Sequence, residues 1–372
     1  MIYFDNAATS FPKPKNVITA INECIYKYCG NSGRSSHKLA LAASEIIYET
    51  REKIAQFVGA KAPEQVVFTY NATHALNLAI KTTIPDDSHV LISNMEHNSV
   101  FRPIYSLSKN KGVKYSFFNT NETIVDDIES KIREDTKCIV STIASNVTGR
   151  EIPLSILSEI ARKHKISLIV DASQYIGHKT INIEKDTCDV LCAPSHKALF
   201  GIQGAGFCIF SDDKQRQTLF EGGSGSLSRE PDMPAGLPER FEAGTLSTPC
   251  IASILAGINF IESVGISEIQ KKLDALTEAL VERLLSINNI IVYEYDNGVI
   301  SFNLKNVPSA IITAELDKDN ICTRGGLHCS PLAHETIRTL ESGTVRVSFS
   351  YFNKLSEVDT FFKSLSNISK KY

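Results

Sequence analysis

The sequence predicts a large doubly wound α/β domain followed by a smaller α+β domain, on three observations. Short apolar runs alternate with helix-period segments through the first two thirds of the chain. A stretch from Glu221 to Pro249, broken by Gly222, Gly223, Gly225, Pro231, Pro234, Pro238 and Gly244, then interrupts the rhythm. Helical segments followed by strand-like ones close the sequence.

The apolar runs at 66–69, 90–92, 138–140, 168–170, 190–192 and 207–210 are short and β-branched, as strands buried on both faces are. Between them, amphipathic segments at 72–82 and 156–165 are long enough to be crossover helices, so the sheet is expected to be mostly parallel. The glycine- and proline-rich stretch reads as a long connecting loop, a type of segment that often carries function. Beyond it, 251–264 and 269–285 read as helices, and 290–293 and 299–302 as strands. The expected boundaries are residues 13–249 for the large domain, and 1–12 plus 250–372 for the small one.

With 372 residues, 42% hydrophobic and 22% charged, the chain has the apolar content to fold, which excludes global disorder. A net charge of -3 gives no electrostatic reason to expect nucleic acid or an anionic membrane. No run approaches the roughly 18 apolar residues that span a bilayer, and the start, Met1 to Asn6, lacks a signal-peptide layout. A cytoplasmic protein with a small-molecule partner is expected. Nine scattered cysteines, an odd count, read as reduced thiols. Cys138, Cys188, Cys192 and Cys208 lie in or beside apolar runs, where packing accounts for them, and no spacing suggests a metal site.

Chemistry-bearing residues cluster where strands end. Ser195-His196-Lys197 follows an apolar strand and puts a lysine at the sheet edge; Asp171 ends another strand, with Gln174 three residues on. Asn71-Ala72-Thr73-His74 lies between a strand and a helix, where free backbone amides can cradle a phosphate. Singly, each has a bland reading: a solvated lysine, a helix-capping aspartate, an N-cap threonine. Together they are what pyridoxal 5'-phosphate requires: a lysine to hold the aldehyde, a carboxylate for the pyridine nitrogen and a phosphate anchor.

On these residues the chain resembles the class V aminotransferase group of fold type I pyridoxal phosphate enzymes, within it the cysteine desulfurases and selenocysteine lyases. The resemblance runs from Tyr3-Phe4-Asp5-Asn6-Ala7-Ala8-Thr9 through Met95-Glu96-His97-Asn98, Ser145-Asn146-Val147-Thr148-Gly149 and Val170-Asp171-Ala172-Ser173-Gln174. It continues in Phe241-Glu242-Ala243-Gly244-Thr245, Arg324-Gly325-Gly326-Leu327-His328-Cys329 and Val345-Arg346-Val347-Ser348.

The resemblance implies that Lys197 holds the cofactor and removes the substrate α-proton, Asp171 faces the pyridine nitrogen and Gln174 the ring oxygen. It implies His97 as the ring-stacking, proton-handling histidine, and Ala72, Thr73, His74, Ser195 and His196 around the phosphate. Thr245 is implied to reach the phosphate of a partner subunit, hence a homodimer with shared active sites. Arg346, on the polar face of an alternating segment, is the implied clamp for the substrate carboxylate, with Asn146 and Arg324 assisting. His37 lies in a segment, 31–37, that resembles a substrate-side loop.

Cys329 bears on the reaction. Arg324 and His328 are cationic or hydrogen-bonding neighbours that would favour its thiolate, and the resemblance makes it the sulfur acceptor. An incidental loop cysteine, or a metal site with His328 and His334, is the other reading of the residues alone. An arginine five residues before the cysteine is similar to the shorter-loop desulfurases, which are close to selenocysteine lyases. The expected reaction is L-cysteine to L-alanine with a persulfide on Cys329, passed to an acceptor protein such as an iron–sulfur scaffold. The alternatives are a selenocysteine lyase, another lyase or epimerase of the same fold, and a catalytically silent scaffold.

Overall fold

The continuous apolar runs become the inner strands of a seven-stranded sheet in a computed structural model that describes residues 1–33, 35–212 and 214–372. After a short β1 (Ile2–Tyr3), the sheet is built from β2 (Val66–Thr69), β3 (His89–Ser93), β4 (Lys114–Phe118), β5 (Thr136–Thr142), β6 (Ser167–Asp171), β7 (Val190–Pro194) and β8 (Gly206–Phe210). Its order is β2-β8-β7-β6-β5-β3-β4. β4, β3, β5, β6 and β7 are parallel, and β8 runs antiparallel to both β7 and β2. With β8 reversed, β2 points the same way as β7, so the segments after β2, β3, β5, β6 and β7 all emerge at one edge, where ligands bind in open α/β sheets.

Side chains alternate between two apolar clusters along these strands. Leu91, Ile139, Val170 and Leu191 join one cluster, while Val90, Ile92, Cys138, Val140, Ile169 and Cys192 join the other. Both faces are therefore covered, and Cys138, Cys192 and Cys208 are fully buried packing groups, as expected. Helices Ala72–Thr83 and Leu154–His164 match their expected spans within two residues. β4 carries no comparable apolar run: it begins with exposed Lys114, and only Phe118 is fully buried in this sheet-edge strand. Gly206 is required where β8 starts, because a Cβ there would lie 2.7 Å from the Asn71 carbonyl carbon and 3.0 Å from the Ala72 nitrogen.

Among the described residues, 211–247 form no helix or strand. The helices Thr248–Val264 and Ile266–Leu285 follow, the first running against the helices Lys15–Glu23 and Lys38–Val58. A second sheet, in the order β12-β13-β10-β9, is antiparallel and consists of β9 (Ile290–Asp296), β10 (Val299–Leu304), β12 (Arg324–Gly326) and β13 (Thr344–Ser348). β11 (Ile321–Cys322) pairs instead with β1. Register places Arg324 directly opposite Arg346, so two cations share a sheet face. The isolated bridge between Asp5 and Ser348 brings the N-terminal segment across the end of β13.

Candidate active site

A cavity of about 210 Å³ opens at the common strand edge, lined by Thr73, His97, Asn146, Asp171, Gln174, His196, Lys197, Arg324 and Arg346 among others. Most follow the end of a strand of the large sheet, while Arg324 and Arg346 come from β12 and β13. Lys197 follows β7 and is partly buried in the cavity wall; desolvation is the main cause of an ammonium pKa brought down to about 8, with Asp171 opposing it and Arg346 and Arg324 reinforcing it. Asp171 is the last residue of β6, with its Oδ1 accepting from the Ser173 amide at 2.9 Å. Gln174 Nε2 donates to the Ala7 carbonyl at 2.9 Å.

His97 caps the helix Asn98–Lys111, and its Nδ1 accepts from the Ser99 amide at 3.0 Å. Burial, then the Lys197 charge, pull its pKa down to about 4, so the ring is neutral at physiological pH and carries its proton on Nε2. The Ser99 hydroxyl bridges His97 Nδ1 at 2.9 Å and Thr73 Oγ1 at 2.8 Å. At the helix Ala72–Thr83, Asn71 Oδ1 takes the His74 amide, leaving the Ala72 and Thr73 N–H groups without intrahelical acceptors.

Arg346, expected on the polar face of its strand, is almost entirely buried. Its Nη2 donates to Asp5 Oδ1 at 2.6 Å and its Nη1 to the Asn146 carbonyl at 2.9 Å, while Nε has no partner among the described residues. Four donors hold the peptide before Lys197: the Ser10 amide, the Thr9 and Ser10 hydroxyls and Lys13 Nζ all reach the His196 carbonyl, within 2.9–3.2 Å. Asp5, Ser99 and Lys13 were not singled out from sequence. Asp5 falls within the Tyr3–Thr9 segment, but nothing local marks its partner.

Four expected residues lie elsewhere. The His74 imidazole turns away from the cavity, accepts from the Tyr70 amide at 3.2 Å and stacks on the Tyr70 ring. The Ser195 hydroxyl donates inward to the Ile202 and Ala205 carbonyls. Thr245 lines a separate cavity of about 320 Å³ with His74, Tyr70 and Phe220. His37 is an exposed helix cap whose Nδ1 accepts from the Ala40 amide at 3.2 Å; Arg34 of the same segment lies outside the described residues.

Cys329 is exposed, with its thiol 3.6 Å from Arg324 Nη2, and sits between the cavity-lining loop of His328 and the start of helix Pro331–Thr336. His328 does not serve the thiol as expected: it is buried, its Nε2 pairs with Thr344 Oγ1 at 3.1 Å, and burial with the Arg346 charge drives its pKa far below the ordinary imidazole range. Arg324 is therefore the cationic neighbour. Among the described residues no cluster of His, Cys, Asp and Glu could hold a metal ion, and no single helix is long and apolar enough to cross a membrane.

The model of the class V aminotransferase family matches residues 2–361. The chain belongs to this family. A probable cysteine desulfurase of Methanothermobacter thermautotrophicus is 32% identical over 99% of this chain and 94% of that protein. A second probable cysteine desulfurase, from Pyrococcus abyssi, is 31% identical over 100% of this chain and 94% of its own length. The apo structure of a cysteine desulfurase from Thermococcus onnurineus superposes with a TM-score of 0.91 at 31% identity, over 100% of this chain and 95% of that one. The mixed α/β architecture is thus that of fold type I enzymes of the class V family.

The buried amine has a direct test. Apo-protein labelled with trinitrobenzenesulfonate should show Lys197 reacting with a midpoint near pH 8, because the free amine is the nucleophile and burial holds the pKa at about 8. A midpoint above about pH 10, as for an unperturbed lysine, would contradict that reading.

Proposed function

We propose that this chain is a pyridoxal phosphate-dependent cysteine desulfurase that converts L-cysteine to L-alanine and leaves the sulfur on Cys329. The observation that carries the reading is an exposed thiol beside an arginine, next to a cavity that holds a lowered-pKa lysine, a carboxylate and a buried arginine.

The donor set fits the cofactor. Lys197 would hold its aldehyde, Asp171 its pyridine nitrogen, His97 the ring face, and the Ala72 and Thr73 amides with Thr73 Oγ1 the phosphate. Phosphate anchoring would rest on those amides rather than on Ser195, whose hydroxyl is engaged inward. When bound, pyridoxal phosphate supplies an electron sink for the substrate α-carbon. The neutral His97 ring would lie on the cofactor side of the cavity without adding charge, and a lysine near pKa 8 could accept the α-proton on Nζ at physiological pH.

Arg346 is already paired with Asp5, but Arg324 stands opposite it on the neighbouring strand and Arg346 Nε is left without a partner among the described residues, so the substrate carboxylate would be bound between these two arginines. Cys329 Sγ then attacks the substrate sulfur. The new S–S bond forms as the Cβ–S bond breaks, and the three-carbon fragment is protonated to alanine. The thiol's exposure leaves the persulfide open to an acceptor protein. Thr245, outside the Lys197 cavity, is suited to reach a neighbouring subunit's phosphate in a homodimer.

The test is alanine release by the purified holoenzyme from L-cysteine and from L-selenocysteine, in parallel, with a thiol reductant. Alanine from cysteine is expected. Turnover of selenocysteine alone would instead make the protein a selenocysteine lyase, and pyruvate in place of alanine would point to β-elimination.

A further inference from the structure

The side chain of Asn146 is committed to the cysteine loop. Its Nδ2 donates to the His328 carbonyl at 2.8 Å, and its Oδ1 accepts from Ser330 Oγ at 2.6 Å. These buried bonds bracket Cys329. A third tie comes from the other side, where the Asn98 amide donates to the Cys329 carbonyl at 2.8 Å. The backbone carbonyl of the same Asn146 accepts from Arg346 Nη1.

The loop needs holding. His328 and Cys329 have φ of 51° and 59°, two successive left-handed residues without glycine, a conformation that costs energy and persists where surrounding contacts impose it. Ser330 contributes one of those contacts and is wholly buried, yet does not line the cavity. The two bonds to Asn146 thus fix the backbone on either side of the thiol relative to the arginine that faces the cavity.

We propose that Asn146 is a positioning residue for Cys329, holding the left-handed turn that keeps the thiol beside Arg324 and in reach of the substrate sulfur. This rests on the desulfurase reading and goes beyond a carboxylate contact. A 1 Å misplacement of a reacting group can cost on the order of 100-fold in rate, so loss of one tie should lower turnover without weakening substrate binding.

Two variants separate the roles, because Ser330 has no face on the cavity. In holoenzyme, Ser330→Ala should lower kcat for alanine release from cysteine roughly five- to tenfold, with KM within about twofold. In the apo-protein, hydrogen–deuterium exchange of the segment 325–332 should quicken in Ser330→Ala, and more in Asn146→Ala. Wild-type kcat and wild-type exchange in Ser330→Ala would overturn the proposal, as would an Asn146→Ala variant that raises KM alone. A wild-type enzyme that releases no alanine from cysteine would instead remove the desulfurase reading, while the exchange measurement still tests the tie.

Discussion

Cys329→Ala holoenzyme should bind its cofactor normally and lose cysteine desulfuration by on the order of 10³-fold or more, the scale expected when a reaction loses its nucleophile. The cavity groups do not depend on this side chain: Lys197, Asp171 and His97 are positioned from β7, β6 and β3, and the thiol lies beside Arg324 Nη2 at 3.6 Å. Cofactor absorbance and the spectral response to added cysteine should therefore match wild type, because in the proposed mechanism proton removal by Lys197 precedes attack on sulfur. Persulfide, read by alkylation and mass spectrometry, should be absent. Wild-type rates in the variant would eliminate the sulfur-relay mechanism and leave β-elimination, which needs Lys197 but gives Cys329 no task. The loop should survive the substitution, since its ties run through the backbone of residues 328 and 329 and through Ser330.

What sequence exposed and what it hid divide along the range of the interactions. The strands of the large sheet were legible because each is buried on both faces, so five consecutive positions are apolar or small, as in Val190 to Pro194. The strand-end residues were legible because chemistry attaches to the ends of such runs: Asp171 and Lys197 could be placed at one edge before any coordinates. The edge strand β4 was not, since its residues before Phe118 are only partly buried or exposed and its first residue is charged. Pairings over hundreds of residues left no local trace either. Asp5 meets Arg346 from 341 positions away, and Asn146 reaches Ser330 from 184. His74 illustrates a local ambiguity: its position in the Asn71-Ala72-Thr73-His74 turn suggested a phosphate ligand, but tertiary packing against Tyr70 and Phe220 took the ring.

The ion pair between Arg51 and Glu242 carries the largest expected stability effect, and it anchors the loop that leads to Thr245. Both side chains are under one tenth exposed. Arg51 also donates to the Val66 carbonyl and lies 4.5 Å above the Phe68 ring, while Glu242 accepts from the Phe68 amide at 2.6 Å. Burial raises the Glu242 carboxyl pKa, with Arg51 the main opposing influence. Arg51→Met removes that opposition and strands a buried carboxylate, which costs about 3–5 kcal/mol when one partner of a buried pair is deleted. Because the folded-state pKa then rises further above the unfolded one, the folded form binds the proton more tightly. The deficit should be smallest near pH 4.5, where the upward shift already favours the protonated carboxyl in the folded form of both proteins, and should grow as pH rises toward 8. The double variant Arg51→Met with Glu242→Gln removes the charge but keeps an acceptor for the Phe68 amide, so it should recover much of the loss and flatten the pH dependence. Thermal unfolding of the three proteins at pH 5 and pH 8 checks this; an Arg51→Met variant within about 1 kcal/mol of wild type at pH 8 would show that water or a rearranged neighbour takes over the carboxylate.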